Sequence, residues 1–155
     1  MRIGWGFDAH RIGPQGPMII AGVTVADDRG LLATSDGDVA LHAVADAILG
    51  ACALGDLGSH FPSSDLQWHG AASTDLLSRV LAMAGEAGFS VDSIDLTVIA
   101  QSARIAPHRD DMRMKVAEIT RVPVDRVSVK ATTTDGLGFR GRDEGGAAVA
   151  VAVVI

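Results

Sequence analysis

Cysteine is nearly absent. Cys52 stands alone, so no internal disulfide can form, and the usage fits a reducing compartment. Its neighbours Ala51 and Ala53 supply no positive charge to lower the thiol pKa, which makes Cys52 a small core residue rather than a nucleophile. No run of about 20 apolar residues occurs, which excludes a helical membrane span. A strand pattern begins at Arg2 and leaves no room for a signal or transit segment, so a cytoplasmic protein is expected. Repeats, linkers and low-complexity tracts are missing as well. Positive charge is scarce: 13 Lys and Arg face 19 Asp and Glu, a net charge of −6. Such a chain is a poor nucleic-acid binder by default. If its substrate is anionic, a metal or a few placed Arg and Lys must neutralise it.

What is present is a chain of 155 residues, 48% hydrophobic and 21% charged, which implies one domain over 1–155 with a real core and no disorder. Residues 35–49 organise it. Ser35, Asp36 and Gly37 read as a turn with a ready N-cap, and acidic side chains there suit the positive end of a helix dipole. Beyond Asp38 the residues are small and apolar, so the helix is expected to be buried on most sides. Asp38, His42 and Asp46 interrupt it at i, i+4 and i+8 and form one polar stripe. Polar groups on a buried helix need partners.

Before this helix, residues 2–8 read as a strand ending in Phe7-Asp8-Ala9-His10. In extended backbone Asp8 and His10 share a face. A Gly/Pro-rich turn at 13–17 precedes a short hairpin, 18–20 and 23–25 around Ala21-Gly22. Residues 27–34 lead to the central helix. Residues 54–70 form a long mixed-polar loop, of a length that is more often functional than filler. A second helix covers 73–87 and ends at Gly88, with Leu76, Leu77, Val80, Leu81 and Ala84 on one face. A strand at 94–100 shows little polar alternation and is expected to be buried on both faces. After a loop at 101–107 come a helix at 108–120, a strand at 127–131, a hydroxyl- and glycine-rich turn from Thr132 to Gly138, and an apolar strand at 147–155. The order β–α–α–β–α–β–β gives an α/β (α+β) fold: a four-stranded mixed sheet with three helices on one face. Its other face is too apolar for water and asks for a second copy of the chain.

Asp8, His10 and His42 offer one carboxylate and two imidazoles. Three such ligands leave one tetrahedral position open, the pattern of a catalytic rather than a structural zinc. The spacing alone also fits Asp8 as a turn cap and both histidines as core or surface residues. Thr132 to Gly138 can cradle phosphate oxygens with free N–H groups and hydroxyls, and Asp135 can hold a hard cation such as Mg²⁺ between phosphates. An ordinary Gly-rich turn has the same composition.

Four stretches, in order and spacing, resemble the 2-C-methyl-D-erythritol 2,4-cyclodiphosphate synthase family. They are Arg2-Ile3-Gly4 through Gly6-Phe7-Asp8-Ala9-His10; Ser35-Asp36-Gly37-Asp38 through His42 and Asp46-Ala47; Gly55-Asp56-Leu57-Gly58 with Phe61-Pro62; and Ala131-Thr132-Thr133-Thr134 through Gly138 and Gly141-Arg142. The resemblance spans the chain. It implies a fold like the Bacillus chorismate mutase group and a homotrimer with sheets packed around the threefold axis. It also implies active sites between subunits and a nucleotide substrate, 4-diphosphocytidyl-2-C-methyl-D-erythritol 2-phosphate, cyclised with release of CMP.

Carried over by the resemblance, Asp8, His10 and His42 hold Zn²⁺, Asp135 holds Mg²⁺ or Mn²⁺ on the diphosphate, and Thr34 and Thr133 act on the transferring group. Ala9, Ser35, Asp56, Leu57, Gly58, Phe61, Pro62, Ser63, Ser64 and Asp65 match the substrate lining. Ala100, Gln101, Ser102, Ala103, Arg104, Ile105 and Ala106, with Thr132, Thr133, Thr134 and Asp135, match the cytidine pocket of the adjoining subunit. Phe7, Phe139 and Arg142 match an axial cavity that takes an isoprenoid diphosphate in some members; plain trimer packing explains them equally.

The chain departs from the family at Thr34, where His is usual. The hydroxyl keeps a donor and loses a charge, so slower turnover is expected. Ser63 replaces a common Asp, Ala103-Arg104 a common Pro-Lys, and Asp135 a Glu that is also used. Asp143 stands where Gly is usual and is expected to pair with Arg142, weakening anion binding on the axis.

Overall fold

A computed structural model describes residues 1–155. In chain order the elements are β1 (Arg2–Gly13), β2 (Met18–Ile20), β3 (Val23–Ala26), β4 (Gly30–Leu32), α1 (Val39–Cys52), α2 (Leu57–His60), α3 (Ser73–Glu86), β5 (Val91–Ile99), α4 (Arg109–Thr120), β6 (Val127–Thr132), α5 (Gly138–Gly141) and β7 (Gly145–Val154). The main sheet runs β4-β1-β7-β5-β6; only β5 and β6 are parallel. It has five strands, not four. The extra edge strand β4 pairs Gly30–Leu32 with the end of β1, which runs on past His10 to Gly13. A three-residue Gly-Leu-Leu segment has no alternation to announce it.

Helix α1 lies against β1, β7 and β5, α4 covers β6, and α3 packs on α1 and α4. The shared core holds Val44, Ile48 and Leu49 of α1, Leu77 and Val80 of α3, Leu96 and Val98 of β5, and Ala148, Ala150 and Ala152 of β7. Burying each Leu or Val contributes roughly 1.5–3 kcal/mol against its ordering entropy. Twelve of the 14 residues of α1 are buried, as its composition requires. The approach of α1 to β1 depends on Gly4 and Gly6, where a Cβ would collide with the carbonyl oxygens of Ala47 and Ala43. Small residues on the strand therefore let the helix sit flush. Cys52 is buried at the end of α1, and burial pushes its thiol up, so the inert role holds.

The opposite sheet face stays open in this chain. Ile3, Trp5 and Phe7 are 67%, 64% and 45% exposed there, with Trp5 and Phe7 stacked 6.2 Å apart. Strand β5 is not buried on both faces. Ile94, Leu96 and Val98 point into the core, while Asp95 and Thr97 alternate with them and Asp95 pairs with Lys130 at 2.6 Å. No helix is long and apolar enough to cross a membrane.

Candidate active site

The polar stripe on α1 fastens three segments to one helix. Asp38, fully buried, is its N-cap and accepts the N–H groups of Ala40 and Leu41 at 3.1 Å each. It also accepts those of Ala21 (2.8 Å) and Gly22 (2.7 Å). Both hairpin residues have positive φ, 52° and 75°, the geometry of a two-residue turn between twisted strands. Burial pushes the Asp38 carboxyl up to about 6, with the N–H bonds pulling the other way. Asp46, two turns along, accepts the Leu57 N–H at 2.7 Å and holds α2 beside the site. Burial raises its pKa, the Leu57 N–H opposes that, and the charges of Asp56 and Asp8 add to the rise.

Between them His42 meets the two ligands on β1. Because Gly4 and Gly6 face α1, the next residues of the same parity, Asp8 and His10, emerge beside His42 on the same face. Asp8 Oδ2 lies 2.8 Å from His42 Nδ1 and 3.0 Å from His10 Nε2, and the two nitrogens are 3.2 Å apart. Burial of Asp8 works against its charge, but the hydrogen bonds and charges of His10 and His42 outweigh it and hold the carboxyl well below the usual range. Two ligands of a tetrahedral zinc sit about 3.3 Å apart, given zinc–ligand distances near 2.0–2.1 Å. Three lone-pair donors at 2.8–3.2 Å from one another fit that ion with little adjustment.

The triad opens into a cavity of about 290 Å³ lined also by Thr34, Ser35, Asp46, Leu57, Gly58, Phe61 and Ser63. Two backbone bonds hold this mouth in shape, Gly70 N–H to Thr34 O (2.8 Å) and Asp36 N–H to Ala71 O (3.1 Å). The turn between Ser35 and Asp38 needs Gly37, whose φ is +77° and whose Cβ would press on Leu31. Thus the 54–70 loop folds back onto 34–36. It contains the short helix α2, capped by Asp56 through the Ser59 N–H and hydroxyl, and a 3₁₀ turn capped by Asp65. Asp56, Pro62, Ser64 and Asp65 lie along this loop outside the cavity lining, and Ala9 contributes its N–H to Asp8 Oδ1 at 2.8 Å.

Sequence reasoning missed four neighbours of the site: Ala33, Trp68, Leu76 and Ser73. Trp68 packs edge-on against Phe61 at 4.9 Å and lines the cavity with Ala33 and Leu76, while Ser73 touches His42. No local pattern marks Trp68 or Ser73 as neighbours of His42 and Phe61, because both reach the site only through the fold of the 54–70 loop.

A second cavity, about 380 Å³, is lined by Ala100, Gln101, Ala103, Arg104, Ile105, Ala106, Thr132 and Thr133. This chain does not bring Thr133 or Asp135 into the cavity of the triad. Ile105 is a core residue as well as a wall of this cavity, at 3% exposure. Ser102, Thr134 and Asp135 lie on the adjoining loops, where Thr134 Oγ1 donates to Leu137 O at 2.7 Å. Phe139 and Arg142 are exposed. The expected Asp143–Arg142 pair does not form. Asp143, with φ +57° at a position suited to Gly, takes Arg29 at 3.3 Å, and Arg142 takes Glu144 at 2.6 Å.

Comparison with known proteins agrees with this geometry. The model of the YgbB family matches residues 1–155. A 2-C-methyl-D-erythritol 2,4-cyclodiphosphate synthase of Erwinia tasmaniensis is 52% identical over 155 residues, 100% of this chain and 99% of that one. Among solved structures, the bifunctional IspDF of Campylobacter jejuni matches 99% of this chain at 40% identity and a TM-score of 0.95, and this chain spans 42% of its length. A 2C-methyl-D-erythritol-2,4-cyclodiphosphate synthase in a CDP-bound form matches 99% of this chain and all of its own, at 32% identity and a TM-score of 0.90. Matched by this family model over residues 1–155, this chain belongs to the YgbB family.

Proposed function

We propose that this chain converts 4-diphosphocytidyl-2-C-methyl-D-erythritol 2-phosphate to 2-C-methyl-D-erythritol 2,4-cyclodiphosphate and CMP. The observation that carries it is the convergence of Asp8 Oδ2, His10 Nε2 and His42 Nδ1 beside Thr34 and Ser35, in a chain matched end to end by this family. An oxygen of the 2-phosphate attacks the β-phosphorus. The bond from that phosphorus to the α-phosphate oxygen breaks, and CMP leaves with the electron pair. No water is consumed, and the tethered nucleophile makes positioning most of the task.

Asp8, His10 and His42 would hold Zn²⁺, and Asp135 would hold Mg²⁺ or Mn²⁺. Bound there, the cations polarise and neutralise the phosphoryl oxygens. The protein's own groups do the rest. Thr34 and Ser35 present hydroxyls at the cavity mouth, and the buried face of α1 fixes where His42 points. Thr133 offers a hydroxyl to the transferring group. Ala100, Gln101, Ser102, Ala103, Arg104, Ile105 and Ala106 form the nucleotide wall with Thr132 and Thr134, and Asp56, Leu57, Gly58, Phe61, Pro62, Ser63, Ser64 and Asp65 border the substrate.

The two cavities belong, in this reading, to one site shared by neighbouring copies of a homotrimer. The exposed Ile3, Trp5 and Phe7 on the open sheet face support that assembly. Phe7, Phe139 and Arg142 would then face the axis, where an isoprenoid diphosphate must compete with Glu144 for Arg142. The test is phosphorus NMR of the purified protein with substrate, zinc and magnesium. Cyclic diphosphate with equimolar CMP is the expected result. Unchanged substrate would reduce the chain to a binding protein, and a ring-open product would make it a phosphoesterase.

A further inference from the structure

We propose that Ser73, braced by Asp36, is a positioning residue that fixes the tautomer of His42 and thereby sets the metal affinity of the triad; this rests on the metal role assigned above. Ser73 opens α3, 31 residues from His42, and is 1% exposed. Its Oγ lies 2.9 Å from His42 Nε2, the ring nitrogen turned away from Asp8 and His10. The same hydroxyl donates to Asp36 Oδ1, and the Ser73 N–H donates to Asp36 Oδ2 at 3.0 Å. Helix α3 has no side-chain cap of its own, so Asp36 also takes the place of its N-cap from a distant segment.

Proton counting gives the consequence. A serine hydroxyl has one proton, and an ionised carboxylate can only accept. The Ser73 proton is committed to Asp36, so Ser73 Oγ faces His42 as an acceptor. Once the triad holds a cation, His42 must then carry its one ring proton on Nε2, which turns the Nδ1 lone pair, in place of the hydrogen bond to Asp8, toward the ion beside Asp8 Oδ2 and His10 Nε2. Ser35 Oγ stands 3.1 Å from the same Nε2 and accepts the Gly37 N–H at 3.3 Å, a weaker second contact. The backbone bonds between 34–36 and 70–71 hold both ends of the chain of contacts, and burial keeps water from substituting for the hydroxyl. Outer partners of this kind orient a ligating imidazole and raise its basicity.

The experiment is zinc affinity by competition with a chromogenic chelator, together with the visible spectrum of the Co²⁺-substituted protein and the Tm of the metal-free protein. Ser73→Ala should weaken zinc binding about ten- to a hundredfold and change the Co²⁺ band, while Ser73→Thr should recover affinity to within about threefold. Asp36→Asn, which keeps the bulk but not a full acceptor, should weaken binding about tenfold. A purely structural serine would lower Tm and leave the Co²⁺ band alone. Wild-type affinity in Ser73→Ala overturns the inference while the metal site stands. Should Ser73→Ala not fold, unchanged affinity in Asp36→Asn overturns it. If the unsubstituted protein binds no zinc, the metal assignment and this inference fall together.

Discussion

Around the triad, Asp38, His42 and Asp46 are each held by partners from other elements. Along 100–106 and 131–135 the polar side chains are held by their own turn or by nothing. Asp38 carries four N–H groups, two of them from the β2–β3 hairpin, and Asp46 carries one from α2. By contrast Thr132 Oγ1 reaches only the next carbonyl at 3.2 Å, Asp135 N–H only Thr133 Oγ1 at 3.2 Å, and Arg104 stands exposed. A metal site must hold its ligands within a few tenths of an ångström before the ion arrives, and one chain completes that task. A nucleotide wall that gains its last contacts from a second copy has no need of rigidity in isolation. The contrast is what the proposed shared site requires, with the triad on one chain and the nucleotide wall completed by its neighbour.

The sharpest way to break this assignment is complementation. His42→Ala alone should lose at least about a thousandfold in turnover, since a ligand and several kcal/mol of charge stabilisation go together. Refolded in equal mixture with Thr133→Ala, it should recover about a quarter of wild-type activity, the share of shared sites in a random trimer that draw both intact halves. Activity no higher than the sum of the two separate variants would place the whole site in one chain.

Next in size is the rigidity of the triad half. Asp38→Ala leaves three buried N–H groups and the half-buried Gly22 N–H without an acceptor and should cost about 3 kcal/mol, a fall in Tm of about 10 °C. Thr133→Ala, on the soft half, should leave the Tm of the isolated chain unchanged. Equal Tm losses from the two would erase the distinction drawn here.

How much of this could be read from the chain follows the same division. Asp38, His42 and Asp46 stood out because polar residues on an otherwise apolar helix have nowhere to hide, and Asp8-x-His10 because a strand puts alternate residues on one face. The partners of those residues could not be read. Ser73 lies 37 residues from Asp36, and only the fold of the 54–70 loop joins them. Strand β4 escaped because three residues cannot show a period, and the polar alternation of β5 was underrated because Asp95 and Thr97 sit among isoleucine, leucine and valine. Arg29 as the partner of Asp143 is likewise a product of tertiary packing, 114 residues away in the chain.

A smaller effect concerns Thr34. It lines the triad cavity, so a histidine there would add a chargeable donor where a hydroxyl now stands. Thr34→His should raise turnover roughly tenfold, the worth of one charge-assisted bond in place of a neutral one, and leave zinc affinity unchanged. No gain in turnover would show that the metals and Thr133 already carry that step.

The smallest expected change tests whether the triad half is tuned as well as braced. Asp46 has a raised pKa in the folded chain, because burial disfavours its charge more than the Leu57 N–H favours it. A raised carboxyl binds its proton more tightly when folded. It therefore adds stability at pH below the ordinary aspartate value, and that contribution disappears as pH climbs through the folded pKa. Asp46→Asn keeps an acceptor for Leu57 and removes the charge. Its Tm should match the unsubstituted protein near pH 4 and lie slightly above it at pH 7, because over that range the unsubstituted chain loses the stability of its tightly held proton. A variant that instead loses stability as pH rises from 4 to 7, relative to the unsubstituted protein, would mean that the Asp46 charge is what holds α2. The triad half would then owe its rigidity to ionised groups rather than to hydrogen bonds alone.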